Sequence, residues 1–592
     1  MVDFRSHTLY YVVVDRFYNS RKKINDFVID ENLDWNDYWG GTIKGITEKL
    51  DYLKLLGVTT IWLSPLFEIT PGLNDFEGRG ANKFFGYWPK DFKRIEPALL
   101  ENEEDANLSD KKYTEFDELV QELHKRGMRI ILDMVCNYSS LNTNNAFQKV
   151  CIYDNGKCIT SFDRDILNWY HSYEEGKEDW QNVWQIENQN QTGLAVFNEY
   201  IYSYRSYIKS IFKFWIDRGV DGFFINSVKN MPVWFWQELM SDLKSYKPDI
   251  FIFGDWYKGG PEDENSISFS NNVFMPILDY SLQKAIEKCL VRNSPEGFYL
   301  IDEVFKLDGK LKSSTELITS VDFNNLARFL SIGGSIEKFE MAVALLLTCR
   351  GIPVIFYGME QYLHHYSNYG KDPYNRPMMV SWDSSSKIFN IIQKLTKLRL
   401  ENHAIQKGLR QTRYITDNIF VYVRKYGDDY CVVAMNKGNE KTFNVAGIDL
   451  PDGVYKDVLN DREVLVENNK IIHLFLGEND IIVISRTTPK SEGQTIVTFQ
   501  LNGYNTHFGE VVKVVGSVPE LGNWDVNKAP TLQYINSNTW RGDIMINESA
   551  GKTVYYKYVA VDVDKSIKYE SRIPRQRIFP TSGYIVWKNE WS

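Results

Sequence analysis

The chain has 592 residues, which is too long for one hydrophobic core and predicts roughly three or four domains. Hydrophobic residues make up 43% of it and charged residues 25%, as in an ordinary soluble globular protein. The net charge of −10 argues against a nucleic-acid partner, which calls for a basic face. No apolar run approaches the ~20 residues that span a bilayer, so we expect no membrane span.

The first 400 residues alternate short apolar runs with amphipathic stretches. The runs that predict strands are Tyr10–Val14, Thr60–Ser64, Arg129–Met134, Gly222–Asn226, Ile250–Gly254, Ser320–Phe323 and Pro353–Tyr357. The stretches that predict helices include Glu115–Lys125, Tyr204–Trp215 and Phe339–Cys349. Strands that alternate with helices over this length predict a parallel sheet closed into a (β/α)8 TIM barrel.

Changes in this rhythm predict the domain boundaries. Turns and polar residues over 138–195 indicate an inserted domain B, which leaves residues 1–137 and 196–400 for the barrel, domain A. Residues 401–485 read as strands divided by turns and predict an all-β domain C. Residues 486–494 are linker-like, and residues 495–592 predict a small β-sandwich. The expected fold class is therefore α/β, followed by two all-β domains.

Six cysteines are too few for a disulfide framework. Cys151 and Cys158 flank Ile-Tyr-Asp-Asn-Gly-Lys, a hairpin-turn pattern that would place them opposite each other on two strands. The sequence leaves two alternatives open for this pair, a cross-strand disulfide and two free thiols.

Four segments in the barrel region share an order and a spacing with a known family. They are Leu132–Ser140, Gly222–Met231, Phe251–Trp256 and Ser320–Phe329. They resemble the four signature regions of the α-amylase family, glycoside hydrolase family 13, in particular its cyclodextrin glucanotransferase and maltogenic amylase branch. Residues 495–592 resemble a starch-binding domain of carbohydrate-binding module family 20, most specifically at Val515–Asp525. The resemblance covers essentially the whole chain and implies starch or maltooligosaccharides as partners.

The chain departs from this family at the positions that carry catalysis. By resemblance, Asn226 stands at the position of the nucleophilic Asp, Asp255 at that of the general-acid Glu, and Asn325 at that of the third acid. An amide is neither an anionic nucleophile nor a proton acceptor at neutral pH. Four further positions, where the family has Arg or His, are occupied by Phe224, Asn324, Tyr138 and Phe85.

Retaining glycoside hydrolysis needs two carboxyl groups roughly 5 Å apart, and only Asp255 remains at the three acid positions. With no catalytic set intact, the sequence predicts a catalytically inactive member that binds starch or α-1,4-glucans, mainly through its C-terminal domain. One alternative is a glycoside hydrolase or glucanotransferase with an active site reorganised around Asp255. Another is a protein-interaction scaffold. Whether the barrel pocket is collapsed or repurposed is left open.

The positions that would contact sugar are better retained. The resemblance implies seven substrate-binding residues: Trp524, Lys557, Tyr569, Asp372, Arg376, Lys229 and Trp88. Trp524 and Tyr569 would offer two aromatic planes that fit the curved face of an α-1,4-glucan. For Asp372 and Arg376 the alternative is a salt bridge that braces their loop, and for Trp88 barrel packing is favoured.

Calcium is the one cofactor that the resemblance implies. Asn137 matches a calcium ligand of the family, and Glu187 would replace a ligating Asp in the inserted domain. Oxygen ligands of this kind suit Ca²⁺. The resemblance also favours an extracellular location, although the sequence opens without a signal-peptide pattern.

Overall fold

The computed structural model describes residues 3–21, 34–69, 83–108, 113–141, 151–162, 164–171, 183–188, 194–487, 495–507, 509–536, 538–580 and 583–592. The chain divides into two compact units, Met1–Thr487 and Thr488–Ser592. Within the described ranges, no helix has the length and apolarity needed to cross a membrane.

The first 400 residues contain both helices and strands. The strands are β1 (Leu9–Val12), β2 (Thr60–Leu63), β3 (Phe67–Ile69), β4 (Pro89–Ile95), β5 (Arg129–Val135), β6 (Tyr138–Leu141), β7 (Cys151–Asp154), β8 (Lys157–Ser161), β9 (Leu194–Val196), β10 (Gly222–Asn226), β11 (Phe251–Gly254), β12 (Ile318–Thr319) and β13 (Ile352–Phe356). The helices are α1 (Ile43–Glu48), α2 (Leu50–Leu56), α3 (Glu115–Lys125), α4 (Val183–Asn188), α5 (Tyr202–Asp217), α6 (Val233–Tyr246), α7 (Glu264–Val273), α8 (Tyr280–Ile286), α9 (Tyr299–Lys306), α10 (Ile336–Thr348), α11 (Lys387–Glu401) and α12 (His403–Lys407).

Seven parallel strands form the central sheet, in the order β11-β10-β5-β2-β1-β13-β12. Two parallel bridges, Gly254 to Ile277 and Leu278 to Ile318, join its outer strands through residues 277–278. That extended pair occupies the eighth position, which closes the sheet into the predicted barrel. Strands such as β1 and β13 are buried throughout, as expected for parallel strands covered on both faces.

The predicted strand at Ser320–Phe323 lies elsewhere. The observed strand, β12, ends at Thr319, and the following residues form turns. The cause is a side chain: Asp322 Oδ1 accepts a hydrogen bond from the backbone N–H of Phe329 at 2.7 Å, which folds this segment back on itself. The turn carries Asn324 and Asn325 at the top of the barrel.

Strands β7 and β8 of the inserted region join β3 and β4 in a four-stranded sheet of order β3-β4-β7-β8, and β6 pairs with β9. Cys151 and Cys158 form a disulfide across the β7–β8 hairpin, which resolves the two alternatives left by the sequence. The other four cysteines are buried free thiols.

Residues 409–486 form two antiparallel four-stranded sheets. Their strands are β14 (Leu409–Ile415), β15 (Ile419–Tyr426), β16 (Asp429–Asn436), β17 (Lys441–Ala446), β18 (Gly453–Lys456), β19 (Glu463–Glu467), β20 (Lys470–Leu476) and β21 (Asp480–Arg486). The sheet orders are β14-β15-β16-β21 and β17-β20-β19-β18. This is the expected all-β region, while the finer boundaries near residues 138, 196 and 401 stay predictions.

The second unit is a β-sandwich. Its strands are β22 (Thr495–Asn502), β23 (Val511–Gly516), β24 (Gln533–Asn536), β25 (Thr539–Ile546), β26 (Thr553–Val561), β27 (Ile567–Tyr569), β28 (Arg575–Ile578) and β29 (Gly583–Glu590). One sheet has the order β24-β25-β22-β29, and in the other β26 pairs with β23, β27 and β28. Between the sheets, Phe499, Tyr556 and Trp587 pack with ring centroids 5.1 to 5.5 Å apart.

Candidate active site and glucan-binding surfaces

Several of the predicted site residues meet at the carboxyl ends of the barrel strands. Asn226 is the last residue of β10, and Asp255 follows β11 directly. The backbone N–H of Asp255 donates to the carbonyl oxygen of Ile225 at 2.8 Å, so the ends of these two strands are adjacent. Active sites of barrels of this kind lie at this end, where the loops after the strands converge.

Asp255 is a buried carboxyl held by a tyrosine. It is 7% exposed, and Tyr280 Oη donates to Asp255 Oδ1 at 2.9 Å. Asn325 Nδ2 in turn donates to Tyr280 Oη at 2.9 Å. Burial raises the pKa of Asp255 to about 6, and the hydrogen bond from Tyr280 opposes that rise. Two of the three predicted acid positions are therefore linked through Tyr280, which the sequence did not single out.

The position of Tyr280 is set by the start of its helix. Asp279 caps α8 by accepting a hydrogen bond from the backbone N–H of Leu282 at 2.9 Å. The same carboxylate forms a buried ion pair with Arg350. The first residue of α8 is thus fixed by a cap and an ion pair, so its phenol is presented to Asp255 by a rigid element.

Asp133, on β5, is a second buried carboxyl of the site. Tyr87 Oη and Tyr11 Oη both donate to Asp133 Oδ2, and Asn324 Nδ2 donates to both of these tyrosines. Asp133 Oδ1 has no hydrogen-bond partner among the described residues. Burial raises the pKa of Asp133 well above its usual range, and the charge of nearby Asp255 adds to the rise.

Aromatic packing fills the barrel at the level of Asp133. Phe224 lies opposite Asp133 in the register of β10 with β5. Its ring centroid is 4.5 Å from that of Trp62, and Trp62 also contacts Phe323 at 5.4 Å. Both phenylalanines are buried, so this part of the barrel interior is packed as core. At the predicted acid positions, Asn226 is half-buried and Asn325 is exposed.

The predicted outer subsite is an ion pair with one buried and one exposed end. Arg376 is fully buried, pairs with Asp372 and donates from Nη1 to the carbonyl oxygen of Asn324 at 2.6 Å. Its guanidinium carbon also lies 4.0 Å from the ring centroid of Phe85. Because Arg376 is buried, Asp372 is the member of the pair that can reach a sugar. The salt bridge can therefore brace the loop while the exposed carboxylate of Asp372 accepts hydrogen bonds.

The remaining barrel candidates have different surroundings. Tyr138 is buried in a small cluster with Tyr87, and Trp88 packs against that cluster, as the packing alternative for Trp88 requires. Lys229 follows β10 in a short helical turn, with its ammonium nitrogen 5.9 Å from the ring centroid of Trp256. Of these three side chains, Lys229 lies nearest in sequence to Asn226.

One of the two predicted calcium ligands, Glu187, lies near an unpredicted carboxylate, Glu199. Asn137 is fully buried, and neither its amide oxygen nor its amide nitrogen has a hydrogen-bond partner among the described residues. Glu199 bonds to His171 Nε2 at 3.2 Å through one oxygen, and its other oxygen is buried without a described partner. Burial and the charge of Glu199 raise the pKa of Glu187. Over the described ranges, no three His, Cys, Asp or Glu side chains converge on one point.

The candidate glucan site of the second unit lies on the outer face of β26. Trp524 is 43% exposed and Tyr569 is 54% exposed. Tyr569 pairs with Val559 across β27 and β26, and Lys557 lies two residues from Val559 on the same face. Val526, two residues after Trp524, packs in a cluster with Val559. The three predicted residues therefore border one surface.

Comparison with known proteins assigns families to three parts of the chain. The α-amylase catalytic domain matches residues 11–381, the α-amylase C-terminal all-β domain residues 414–487, and the starch-binding domain residues 494–585. These matches confirm the resemblance and the fold that it implies. The third match supports the binding of starch or maltooligosaccharides.

Several relatives cover most of the chain. A cyclomaltodextrin glucanotransferase from Klebsiella oxytoca is 30% identical over 92% of this chain and 87% of its own length. An α-amylase from Niallia circulans is 31% identical over 77% of this chain and 85% of its own. A crystal structure of a three-domain cyclomaltodextrin glucanotransferase superposes with a TM-score of 0.73 at 32% identity, covering 81% of this chain and 99% of that one.

These relatives overturn one prediction. We expected a catalytically inactive protein, and that expectation is wrong, because relatives named cyclomaltodextrin glucanotransferase match 92 to 100% of the chain at 27 to 30% identity. The prediction rested on residue types at a few positions, whereas the similarity runs through the catalytic domain and both C-terminal domains. The roles of the individual site residues stay predictions. The α-amylase catalytic domain matches more than half of this chain, which shows that the chain belongs to the α-amylase family.

Proposed function

We propose that the chain is an enzyme that cleaves α-1,4-glucans and transfers the cleaved segment, with Asp255 as its general acid. The observation that carries this proposal is the environment of Asp255: a buried carboxyl with a pKa raised to about 6, oriented by Tyr280 at the carboxyl end of a barrel strand. The names of the relatives favour transfer to a sugar hydroxyl over transfer to water.

Asp255 suits the departure of the leaving group. Below a pH of about 6 the carboxyl is protonated and can give its proton to the glycosidic oxygen as the bond to the anomeric carbon breaks. As the pH rises through about 6 the proton is lost, and the rate should fall with it. The oxygen of an incoming sugar hydroxyl then bonds to the anomeric carbon, and its proton passes to the Asp255 carboxylate, which restores the acid.

Asp133 plays a different part. Burial raises the pKa of Asp133 well above the usual range, which disfavours the anionic form that a nucleophile needs. Asp133, on β5, lies opposite Phe224, which precedes Asn226 by two residues on β10. There it accepts hydrogen bonds from Tyr11 and Tyr87, and both hydroxyls also accept from Asn324. Retaining transfer uses two carboxyl groups. Because proton transfer is assigned here to Asp255 alone, we expect slow turnover.

Calcium is a further proposal. The amide oxygen of Asn137 and one oxygen of Glu199 are buried without a hydrogen-bond partner among the described residues, and a hard cation would satisfy both. Glu187 lies close enough to Glu199 for their charges to interact. These residues fit an oxygen-ligated Ca²⁺. The ion would stabilise the inserted region, and we assign it no chemical step.

Product analysis tests the proposed reaction. The purified chain would be incubated for a day with maltoheptaose, and the products separated by chromatography. We expect longer and shorter maltooligosaccharides or cyclodextrins to form together. The Asp255→Asn variant, prepared in parallel, controls for contaminating amylases and should be at least a hundredfold slower. Equal product formation by the variant and the parent would refute the role of Asp255.

A further inference from the structure

A second group of aromatic side chains lies on the loop that carries Asp372 and Arg376. Residues 362–376, called the 362–376 loop below, have the sequence Tyr-Leu-His-His-Tyr-Ser-Asn-Tyr-Gly-Lys-Asp-Pro-Tyr-Asn-Arg. Two of its tyrosines face solvent: Tyr366 is 71% exposed and Tyr369 is 74% exposed. Large aromatic surfaces left in water on one loop are unusual enough to need a reason.

The base of the loop is rigid. The rings of His365 and Tyr374 stack with centroids 5.7 Å apart and planes 12° apart. Trp35, from a separate part of the chain, contacts both rings, at 4.6 and 4.8 Å. The backbone N–H of His365 donates to Ser331 Oγ at 3.2 Å, which fixes the loop to the barrel.

The exposed tip is held in a strained form. Asn368 and Tyr369 both have left-handed backbone angles, with φ of 45° and 55°. A bulky residue in this region is an outlier, and such outliers cluster at ligand sites. Gly370 follows, and a Cβ there would overlap the side chain of Ser331. The strain is thus imposed by the anchored loop, and Tyr369 remains displayed to solvent.

The loop is continuous with the proposed active site. Arg376 connects Asp372 to the carbonyl oxygen of Asn324, whose side chain contacts the tyrosines around Asp133. Asp372 lies three residues after Tyr369, and its carboxylate is largely exposed. A polymer that leaves the barrel cleft past Asp372 would therefore meet the two exposed tyrosines next.

We propose that Tyr366 and Tyr369 form an outer subsite that binds glucose units of an α-glucan chain beyond the Asp372–Arg376 pair. Tyrosine rings stack on the apolar faces of sugars, lose little conformational entropy on binding, and offer a hydroxyl to the sugar edge. Asp372 beside them accepts hydrogen bonds from sugar hydroxyls. The inference rests on the proposed substrate class and does not depend on turnover.

The experiment measures binding directly in the full-length chain. A Trp524→Ala background weakens the site of the second unit, and maltotriose and maltoheptaose are then titrated by calorimetry. Adding Tyr366→Ala and Tyr369→Ala should weaken maltoheptaose binding five- to fiftyfold and leave maltotriose binding nearly unchanged, because only the longer chain reaches the outer subsite. Tyr246→Ala is the matched control, since this exposed tyrosine ends α6 at the opposite end of the barrel.

Each outcome of the titration decides the question. A selective loss of maltoheptaose affinity supports the subsite even if the enzyme proves inactive, so the proposal and the proposed function can fail separately. Unchanged maltoheptaose affinity in the double variant overturns it. If the double variant keeps its affinity while its oligomeric state in light scattering changes, the two tyrosines contact another copy of the chain and the sugar subsite is likewise refuted.

Discussion

At the scale of single residues, the contact between Tyr280 and Asp255 sets the acidity of the site. A hydrogen bond donated to a carboxylate stabilises its charged form and lowers its pKa, while burial raises it. Tyr280→Phe removes the lowering contribution and leaves burial in place. A hydrogen bond to a charged group is worth about 1.5–3 kcal/mol, and 1.36 kcal/mol corresponds to one pH unit.

We therefore expect Tyr280→Phe to move the falling limb of the pH–rate profile from about pH 6 upward by roughly one unit. The measurement is the initial rate of maltoheptaose conversion across pH 4–9. Tyr299→Phe, which removes the hydroxyl of a distant exposed tyrosine, should leave the limb in place. A limb that stays put, or moves to lower pH, in Tyr280→Phe would show that this phenol does not act on Asp255.

Asn226 offers a gain of function. Asn226→Asp introduces a carboxylate at the end of β10, adjacent to the end of β11 where Asp255 lies. It supplies the second carboxyl that retaining transfer draws on, and its negative charge keeps Asp255 protonated to higher pH. We expect the turnover number for maltoheptaose to rise at least tenfold. Asn226→Ala serves as the control without a carboxylate, and an Asp variant no faster than the Ala variant would contradict this account.

At the scale of elements, regular structure could be predicted from the sequence better than the contacts of the site. Helix α3 begins and ends where the amphipathic pattern places it, because Thr114 and Asp117 form a capping box at its start. The strand predicted at Ser320–Phe323 was misplaced, because the side-chain bond of Asp322 to the backbone of Phe329 is not visible in an apolar run. Turns made by one side chain are set by tertiary contacts.

Only part of the site could be predicted, because contacts between residues distant in sequence are not visible in a motif. The motifs located Asn226, Asp255 and Asn325, since each lies at or after the end of a strand. They missed Tyr280 and Glu199, whose roles arise from neighbours far away in sequence. Tyr280 carries one local signal, an N-capping Asp before it, but that pattern describes a helix start and says nothing of Asp255.

The inserted region carries a prediction about calcium. At a Ca²⁺ concentration a hundredfold above its dissociation constant, a ligand that binds only the folded state adds about 2.7 kcal/mol of stability. We expect the first thermal transition to rise with Ca²⁺ and to fall in chelator, with Mg²⁺ as the control ion. Glu187→Gln, which keeps the shape of the side chain and removes its charge, should reduce the Ca²⁺-dependent shift. An undiminished shift in this variant would remove Glu187 from the ligand set.

At the scale of the whole molecule, we expect the reaction in the first unit and most of the starch binding in the second. The second unit holds an exposed pair of aromatic residues, Trp524 and Tyr569, and we expect most of the affinity for granular starch there. Trp524→Ala should weaken β-cyclodextrin binding by about 1–3 kcal/mol, the usual cost of truncating an aromatic anchor. Titration of the full-length chain measures this, with Trp540→Phe, a change within the sandwich core, as a test of general disruption. Unchanged affinity in Trp524→Ala would assign the main glucan site to the first unit.

If Asp255 donates a proton to the leaving oxygen, the effect of removing its carboxyl should depend on the leaving group. Fluoride departs with little protonation, whereas a sugar alkoxide needs a general acid. The measurement compares the rates of the parent and of Asp255→Asn on maltoheptaose and on α-maltosyl fluoride. We predict a loss of at least a hundredfold on maltoheptaose and less than tenfold on the fluoride. Equal losses on the two substrates, or no loss on either, would contradict the assignment of Asp255 as the acid.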